Sequence, residues 1–178
     1  MTKTGFLGRF QPFHLGHHNA VKQLNENYSE PVIIVGSSGK SRTEDNPLSF
    51  EERKKLIKAC HPDIEILKLE DVESDKKWVK KLEELDLDKV ISENDNVHKI
   101  LENSNLEVER PQMFDEKIYS GTEVRRRIKS GEEWRYLTPK CSHKALEGLL
   151  EAVKKSGTQY NFEPGWEREN SYHDTAEK

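Results

Sequence analysis

The sequence predicts an α/β fold: a three-layer sandwich with a parallel sheet of about five strands and a C-terminal helical extension. Three observations carry this. Short apolar runs alternate with helix-period segments from residue 4 to residue 110. That alternation implies right-handed helical crossovers, which pair successive strands in parallel with helices over the sheet. The chain is 178 residues long, enough for one domain with a real core, and shows no internal repeat.

Gly5-Phe6-Leu7-Gly8-Arg9-Phe10 reads as a buried first strand. Pro12 fixes its own backbone and Gly16 tolerates unusual angles, so Gln11 to Gly16 form a turn. From His17 the spacing is helical, with Ala20, Val21 and Leu24 on one face. Pro31 to Gly36 is the second strand, followed by a polar, turn-rich stretch that ends at Pro47. Ser49-Phe50-Glu51-Glu52 has capping-box spacing, so a helix is expected from Phe50 to Cys60 with Leu56, Ile57 and Cys60 inward. Ile64 to Leu69 is the third strand, and Trp78, Val79, Leu82 and Leu85 mark the next helix. Lys89-Val90-Ile91 is a fourth strand, Val97, Ile100 and Leu101 belong to a helix, and Leu106 to Glu109 is a fifth strand. Ser120-Gly121-Thr122-Glu123 repeats the capping-box spacing and opens a short helix closed by Gly131. A last helix turns Ala145, Leu146, Leu149, Leu150 and Val153 inward. The domain is expected to span 1–155. Residues 156–178, polar with scattered Tyr160, Phe162, Trp166 and Tyr172, are expected to be a mobile tail, the alternative being that those aromatics dock on a neighbour.

Composition narrows the function classes. The net charge is −4, so no broad nucleic-acid surface is expected, and an anionic ligand must be held by local groups. No apolar run approaches the roughly 20 residues that span a bilayer. Cys60 and Cys141 lack metal-site spacing and are read as reduced thiols, which with the missing leader segment points to a cytoplasmic protein.

The residues with chemical content gather at two helix starts. His17 shares the inward face of the first helix, and His14 lies one turn earlier, so both imidazoles converge at the helix N-terminus. Backbone N–H groups and the positive end of the helix dipole make that a phosphate site. At the second start, Arg125, Arg126 and Arg127 oppose the helix dipole, which an anion beside Ser120 and Thr122 would offset. Adjacent residues point about 100° apart, so the three arginines do not all face one ligand. Gly36 to Ser41 imitates a phosphate-binding P-loop, but Ile34 stands where that motif needs its first glycine.

The run Gly8-Arg9-Phe10-Gln11-Pro12-Phe13-His14-Leu15-Gly16-His17 resembles the HxGH motif of the nucleotidyltransferase superfamily, whose fold is Rossmann-like. Tyr119 to Arg125 resembles the ISGTxxR-type motif of the same superfamily. Together with Ser41-x-Thr43-x-x-Asn46-Pro47, Glu52-Arg53, Ser92-x-Asn94 and Trp134-x-x-Leu137-x-Pro139, these narrow the resemblance to archaeal-type nicotinamide-nucleotide adenylyltransferases. The resemblance covers residues 5–155. It implies transfer of AMP from Mg-ATP to nicotinamide mononucleotide, giving NAD and pyrophosphate, in a homo-oligomer that is often a hexamer.

The resemblance assigns residues as well. His14, His17 and Arg125 would be catalytic. Gly8, Arg9, Phe10, His14, Gly16, His17, Ser120, Thr122 and Arg125 would hold ATP, with Mg²⁺ bound mainly through the phosphates and no protein metal ligands. The family's Asn-x-x-Trp pair for nicotinamide is here Asp75 and Trp78. Trp78 either stacks on the pyridine ring or fills an ordinary core position. Asp75 either accepts from the carboxamide NH₂ or points to solvent. Rival readings are an adenylyl- or cytidylyltransferase with another phosphorylated acceptor (nicotinate mononucleotide, FMN, phosphopantetheine, a polyol phosphate) and a non-catalytic nucleotide sensor.

Overall fold

The computed structural model describes residues 2–112 and 119–155. They form two compact units. One comprises 2–9, 19–39 and 64–112; the other comprises 10–18, 40–63 and 119–155. The expected tail, 156–178, lies outside the described residues. No helix among them is long and apolar enough to cross a membrane.

The first unit is built on β1 (Lys3–Gly8), β2 (Glu30–Val35), β3 (Glu65–Lys68), β4 (Lys89–Ile91) and β5 (Glu107–Glu109), all parallel, in the order β3-β2-β1-β4-β5. From β1 the chain winds outward through β2 to β3, then returns to the other side for β4 and β5. The winding therefore reverses at β1, and in such sheets ligands bind beyond the strand ends at that switch point. α1 (Leu15–Asn27), α3 (Asp75–Glu83) and α4 (Asp95–Leu101) supply crossovers. Leu7, Ile34, Leu69, Leu82, Val90 and Leu101 fill the core of this unit.

The expected first strand ran through Phe10, but β1 stops at Gly8. Phe10 adopts a left-handed backbone (φ 53°), which no strand residue can hold, and turns the chain out of the sheet. α1 starts at Leu15, two residues before the helical apolar spacing begins, because His14 caps it. α3 ends at Glu83, so Leu85 lies past its end but still packs on the core.

The second unit carries α2 (Phe50–Cys60), α5 (Gly121–Ser130) and α6 (His143–Lys155), with single 3₁₀ turns at Arg135–Leu137 and Lys140–Ser142. α2 has the full capping box: Ser49 Oγ accepts from Glu52 N, and a Glu52 carboxylate oxygen accepts from Ser49 N at 2.8 Å. α5 has half of it. Ser120 Oγ accepts from Glu123 N at 3.1 Å, while the Glu123 carboxylate turns to Arg126 and Arg127 (2.9 and 2.7 Å). Gly131 closes α5 in the left-handed region (φ 74°). Leu146 and Leu149 are buried from α6.

Cys60 and Cys141 correct an expectation. They are not reduced thiols but a disulfide, with Cα atoms 5.3 Å apart across a sequence separation of 81. The end of α2 and the Lys140–Ser142 turn meet within bonding range, a tertiary contact that local spacing does not record.

Gly5 sits mid-β1, opposite Val32 and Val90, and a Cβ there would lie 2.4 Å from Ile34 Cδ1 and 3.3 Å from Leu87 Cδ1. Gly5→Ala is expected to cost about 1–3 kcal/mol by overpacking. At Gly39 a Cβ would meet nothing within 4 Å, so Gly39→Ala should stay within about 0.5 kcal/mol of wild type. Urea unfolding midpoints of the two variants check the contrast.

Candidate active site

The segment that leaves β1 folds into a ring-lined turn in the second unit. His14 is the N-cap of α1. Its Nδ1 accepts from the backbone N–H of Gly16 (3.1 Å) and, at 3.4 Å, of His17. His17 Nδ1 accepts in turn from the backbone N–H of His14 (3.3 Å). Both Nδ1 atoms are therefore acceptors, and the proton of each neutral ring sits on Nε2. The rings stack with centroids 3.6 Å apart at 25°. Phe10 and Phe13 both pack against His17, at 4.6 and 5.9 Å between centroids, and lie 6.2 Å from each other.

Sequence reasoning assigned the phosphate site to the N–H groups of this helix start. The structure differs: His14 itself takes the Gly16 and His17 amides. The backbone amides of the turn thus engage Nδ1 of both imidazoles.

Burial keeps these rings uncharged. Desolvation, helped by the positive charge of Arg125, pushes His14 from the ordinary 6.5 down to about 3. His17 is held well below its ordinary value, first by desolvation and then by His14. A neutral imidazole remains a good donor at Nε2, and its dipole answers negative charge developing on a nearby oxygen.

Arg125 reaches the same turn from α5. Its Nη1 donates to the Gln11 carbonyl at 2.7 Å across 114 residues, and its Nη2 donates to Thr122 Oγ1 at 3.3 Å. Asp45 lies 3.6 Å away as a counter-charge. This close approach explains Gly121. A Cβ there would come within 3.0 Å of both Arg125 Nη1 and the Gln11 carbonyl oxygen.

Arg126 and Arg127 point elsewhere. Arg126 pairs with Glu123 and Glu132 (2.9 and 2.5 Å), and Arg127 pairs with Glu123 and lies over the Tyr136 ring. The dipole opposition of three arginines is thus offset by the protein's own glutamates, with Arg125 turned toward the histidine turn.

The structure brings Phe10, His14, Gly16, His17, Thr122 and Arg125 together within this unit, with Ser120 capping the helix that carries the last two. Gly8 and Arg9 belong to the sheet unit, where the Gly8 carbonyl accepts from Gly36 N. Asp75 and Trp78 lie on α3 of that unit. Asp75 is exposed in the first helical turn, and Trp78 is half-buried against the core. The false P-loop is confirmed as such by α2, which starts at Phe50 and not at Lys40.

Three residues escaped sequence reasoning. Gln11 is buried and clamps Leu48 from both sides, its Nε2 donating to the Leu48 carbonyl (2.8 Å) and its Oε1 accepting from Leu48 N (3.0 Å). Arg53 is fully buried and donates to the Ser49 and Lys40 carbonyls (3.2 and 3.4 Å), tying both ends of the 40–49 loop. Asp45 is the counter-charge of Arg125. Gln11 and Arg53 stood inside motif runs; nothing in the sequence marked Asp45.

Comparison with known proteins identifies the family. Residues 6–127 match the cytidylyltransferase-like family. The chain is 34% identical over 171 residues to the nicotinamide-nucleotide adenylyltransferase of Methanolobus tindarius, covering 90% of this chain and 99% of that one. It is 36% identical over 140 residues to the enzyme of the same name from Methanococcus aeolicus, covering 75% of this chain and 81% of that one. A bifunctional NMN adenylyltransferase/ADP ribose pyrophosphatase from Francisella tularensis, crystallised with AMP and a manganese ion, superposes with a TM-score of 0.70 at 20% identity. That superposition covers 88% of this chain but only 52% of the Francisella chain, and it speaks for the fold alone. By the family match and the two archaeal relatives, the chain belongs to the cytidylyltransferase-like family and, within it, to the nicotinamide-nucleotide adenylyltransferases.

Proposed function

We propose that this chain transfers AMP from Mg-ATP to nicotinamide mononucleotide, forming NAD and pyrophosphate. The observation that carries the proposal is the stacked His14–His17 pair with backbone-set tautomers, facing the same turn as Arg125. The archaeal relatives named for this activity support it.

The reaction asks little proton chemistry of the protein. The acceptor's 5′-phosphate is already an anion near neutral pH, its second pKa being about 6. One of its oxygens attacks the α-phosphorus of ATP, a P–O bond forms, and the bond to the β-phosphate bridging oxygen breaks as pyrophosphate leaves. Catalysis then rests on positioning and on stabilising charge at the transferred phosphoryl group. His14 and His17 donate from Nε2 to the phosphates, with His17 on the α-phosphoryl oxygen. Arg125, exchanging Asp45 for phosphate oxygens, neutralises the departing pyrophosphate together with Arg9. Gly8, Phe10, Gly16, Ser120 and Thr122 shape the ATP site.

The donors gathered here are imidazoles, a guanidinium and a hydroxyl, which suit phosphate and not a cation that demands oxygen ligands. When bound, Mg²⁺ would be held mainly through the ATP phosphates and would screen their charge. A homo-oligomer, hexameric as the family resemblance implies, is part of the proposal.

Pyrophosphate release with Mg-ATP should be fastest with nicotinamide mononucleotide in a panel that includes FMN, phosphopantetheine and polyol phosphates; silence with every acceptor would favour a sensor. His17→Ala and Arg125→Ala should each lower kcat on the order of 10²–10³-fold with a smaller change in KM. Near wild-type turnover in either variant rejects the role given to that residue.

Asp75 bears on the acceptor's base. A carboxylate beside the ring accepts from an amide NH₂ and repels an acid, so nicotinamide mononucleotide should outrun nicotinate mononucleotide by about tenfold, the effect of roughly 1.4 kcal/mol. Asp75→Asn should narrow that ratio. Equal turnover of the two acceptors by wild type removes Asp75 from recognition.

The neutral imidazoles also predict how stability depends on pH. Above about 6.5 neither the folded nor the unfolded chain protonates His14. Below it the unfolded chain takes up a proton that the folded site refuses until about pH 3. Stability is thus lost as pH falls, with His14 alone accounting for about 2 kcal/mol between pH 7 and pH 5. Urea unfolding at the two pH values should show the loss, and His14→Asn should shrink it.

A further inference from the structure

Against Phe13 packs a second group of rings and sulfurs to which the proposed transfer chemistry gives no role. Phe13 stacks on His17 and stands edge-on to both His18 and His61, with centroids 6.1 and 5.9 Å away at 89°. His18 Nδ1 and His61 Nε2 are 2.9 Å apart, sharing a hydrogen bond. His61 is also the C-cap of α2, its N–H donating to the Ile57 carbonyl at 2.8 Å. Next to it in sequence is Cys60, bonded to Cys141. One ligand atom each from His18, Cys60 and Cys141 lie within 4.8 Å of one another.

A disulfide alone needs no imidazole partners. Two sulfurs and an imidazole nitrogen at this spacing are, on the other hand, the ligand set of a soft or borderline cation, and thiolate with imidazole selects zinc over magnesium or calcium. His61 stands in the usual outer role, since a ligating histidine is oriented by a hydrogen bond from its own ring. Cys141 is exposed and Cys60 half-buried, so a dithiol reductant reaches the pair.

We propose that the Cys60–Cys141 pair, once reduced, joins His18 in a zinc-type metal site oriented by His61. Two electrons and two protons from a dithiol open the disulfide to two thiols, the dithiol becoming a disulfide. The metal then displaces one proton from each thiol and binds both thiolates. With Zn–S bonds of about 2.3 Å at a tetrahedral angle, the sulfurs stand about 3.8 Å apart, which no disulfide permits. The cluster holds either a covalent bond or an ion. In both states it pins the end of α2 to the Lys140–Ser142 turn beside the ring that packs on His17.

Cobalt(II) reads this site directly. The full chain is reduced with a phosphine, freed of reductant without oxygen and titrated with Co²⁺, alongside the oxidised chain. One equivalent should produce thiolate-to-cobalt charge-transfer absorption and the strong visible bands of a tetrahedral site, which Zn²⁺ then abolishes. The oxidised chain should show neither. Cys60→Ser and Cys141→Ser should each weaken the charge-transfer band and lower affinity, and His61→Ala should lower affinity by about 10–100-fold. His18→Ala should lower it at least tenfold and shift the visible bands. Zn²⁺ should raise the Tm of the reduced chain and leave that of the oxidised chain unchanged. A reduced wild-type chain without the charge-transfer band overturns the proposal, as does a His18→Ala chain with unchanged affinity and spectrum. The comparison of oxidised with reduced wild type needs no substitution, so a variant that fails to fold does not shield the idea.

Discussion

The histidine turn depends on one capping interaction, the pair of backbone N–H groups that His14 Nδ1 accepts at the start of α1. It replaces the usual Ser, Thr, Asp or Asn oxygen with a ring nitrogen, and the substitution has consequences beyond the helix. An oxygen cap ends at the cap. A ring that accepts at Nδ1 carries its second nitrogen away from the helix as a donor. The same bond therefore ends the turn from β1, starts the helix and settles which nitrogen of His14 bears the proton. His17 repeats the device one turn on, accepting from the His14 amide, and the two rings stack because each accepts from the other residue's backbone amide.

Burial then decides the charge state. Two stacked rings 3.6 Å apart do not both ionise in a desolvated site, and both are held neutral. Positive charge comes instead from Arg125, whose guanidinium cannot lose its proton. The division of labour follows: neutral, geometrically set donors near the histidines and a permanent cation from α5, linked by the bond from Arg125 to the Gln11 carbonyl.

Much of the fold was legible because its signals are local. The strands and most of the helices follow from apolar runs and period, and α2 matches its expected span because the capping box states its start. The histidine turn and Ser120–Arg125 were legible as motifs. Contacts that close in space were not. The bond joining Gln11 to Arg125 spans 114 residues, the disulfide spans 81, and Gln11 to Leu48 spans 37. Each depends on where elements meet, not on neighbours in sequence. A related limit holds at the helix start: spacing showed where its amides lie, but not that the histidine of the same motif would accept from two of them.

The three consecutive arginines of this acidic chain, net charge −4, differ in how tightly they are paired. Arg126 is held by two glutamates, with one contact at 2.5 Å, and Arg127 is bonded to Glu123 at 2.7 Å. These are charge-assisted hydrogen bonds of full strength, and they fix the outer face of α5. The Asp45–Arg125 pair is looser at 3.6 Å, outside hydrogen-bond range. It lowers the cost of keeping a cation largely out of water, with the Arg125 side chain only 11% exposed, without binding it as tightly as phosphate oxygens at contact distance would. The arginine aimed at the histidine turn is thus also the one of the three with the loosest counter-ion.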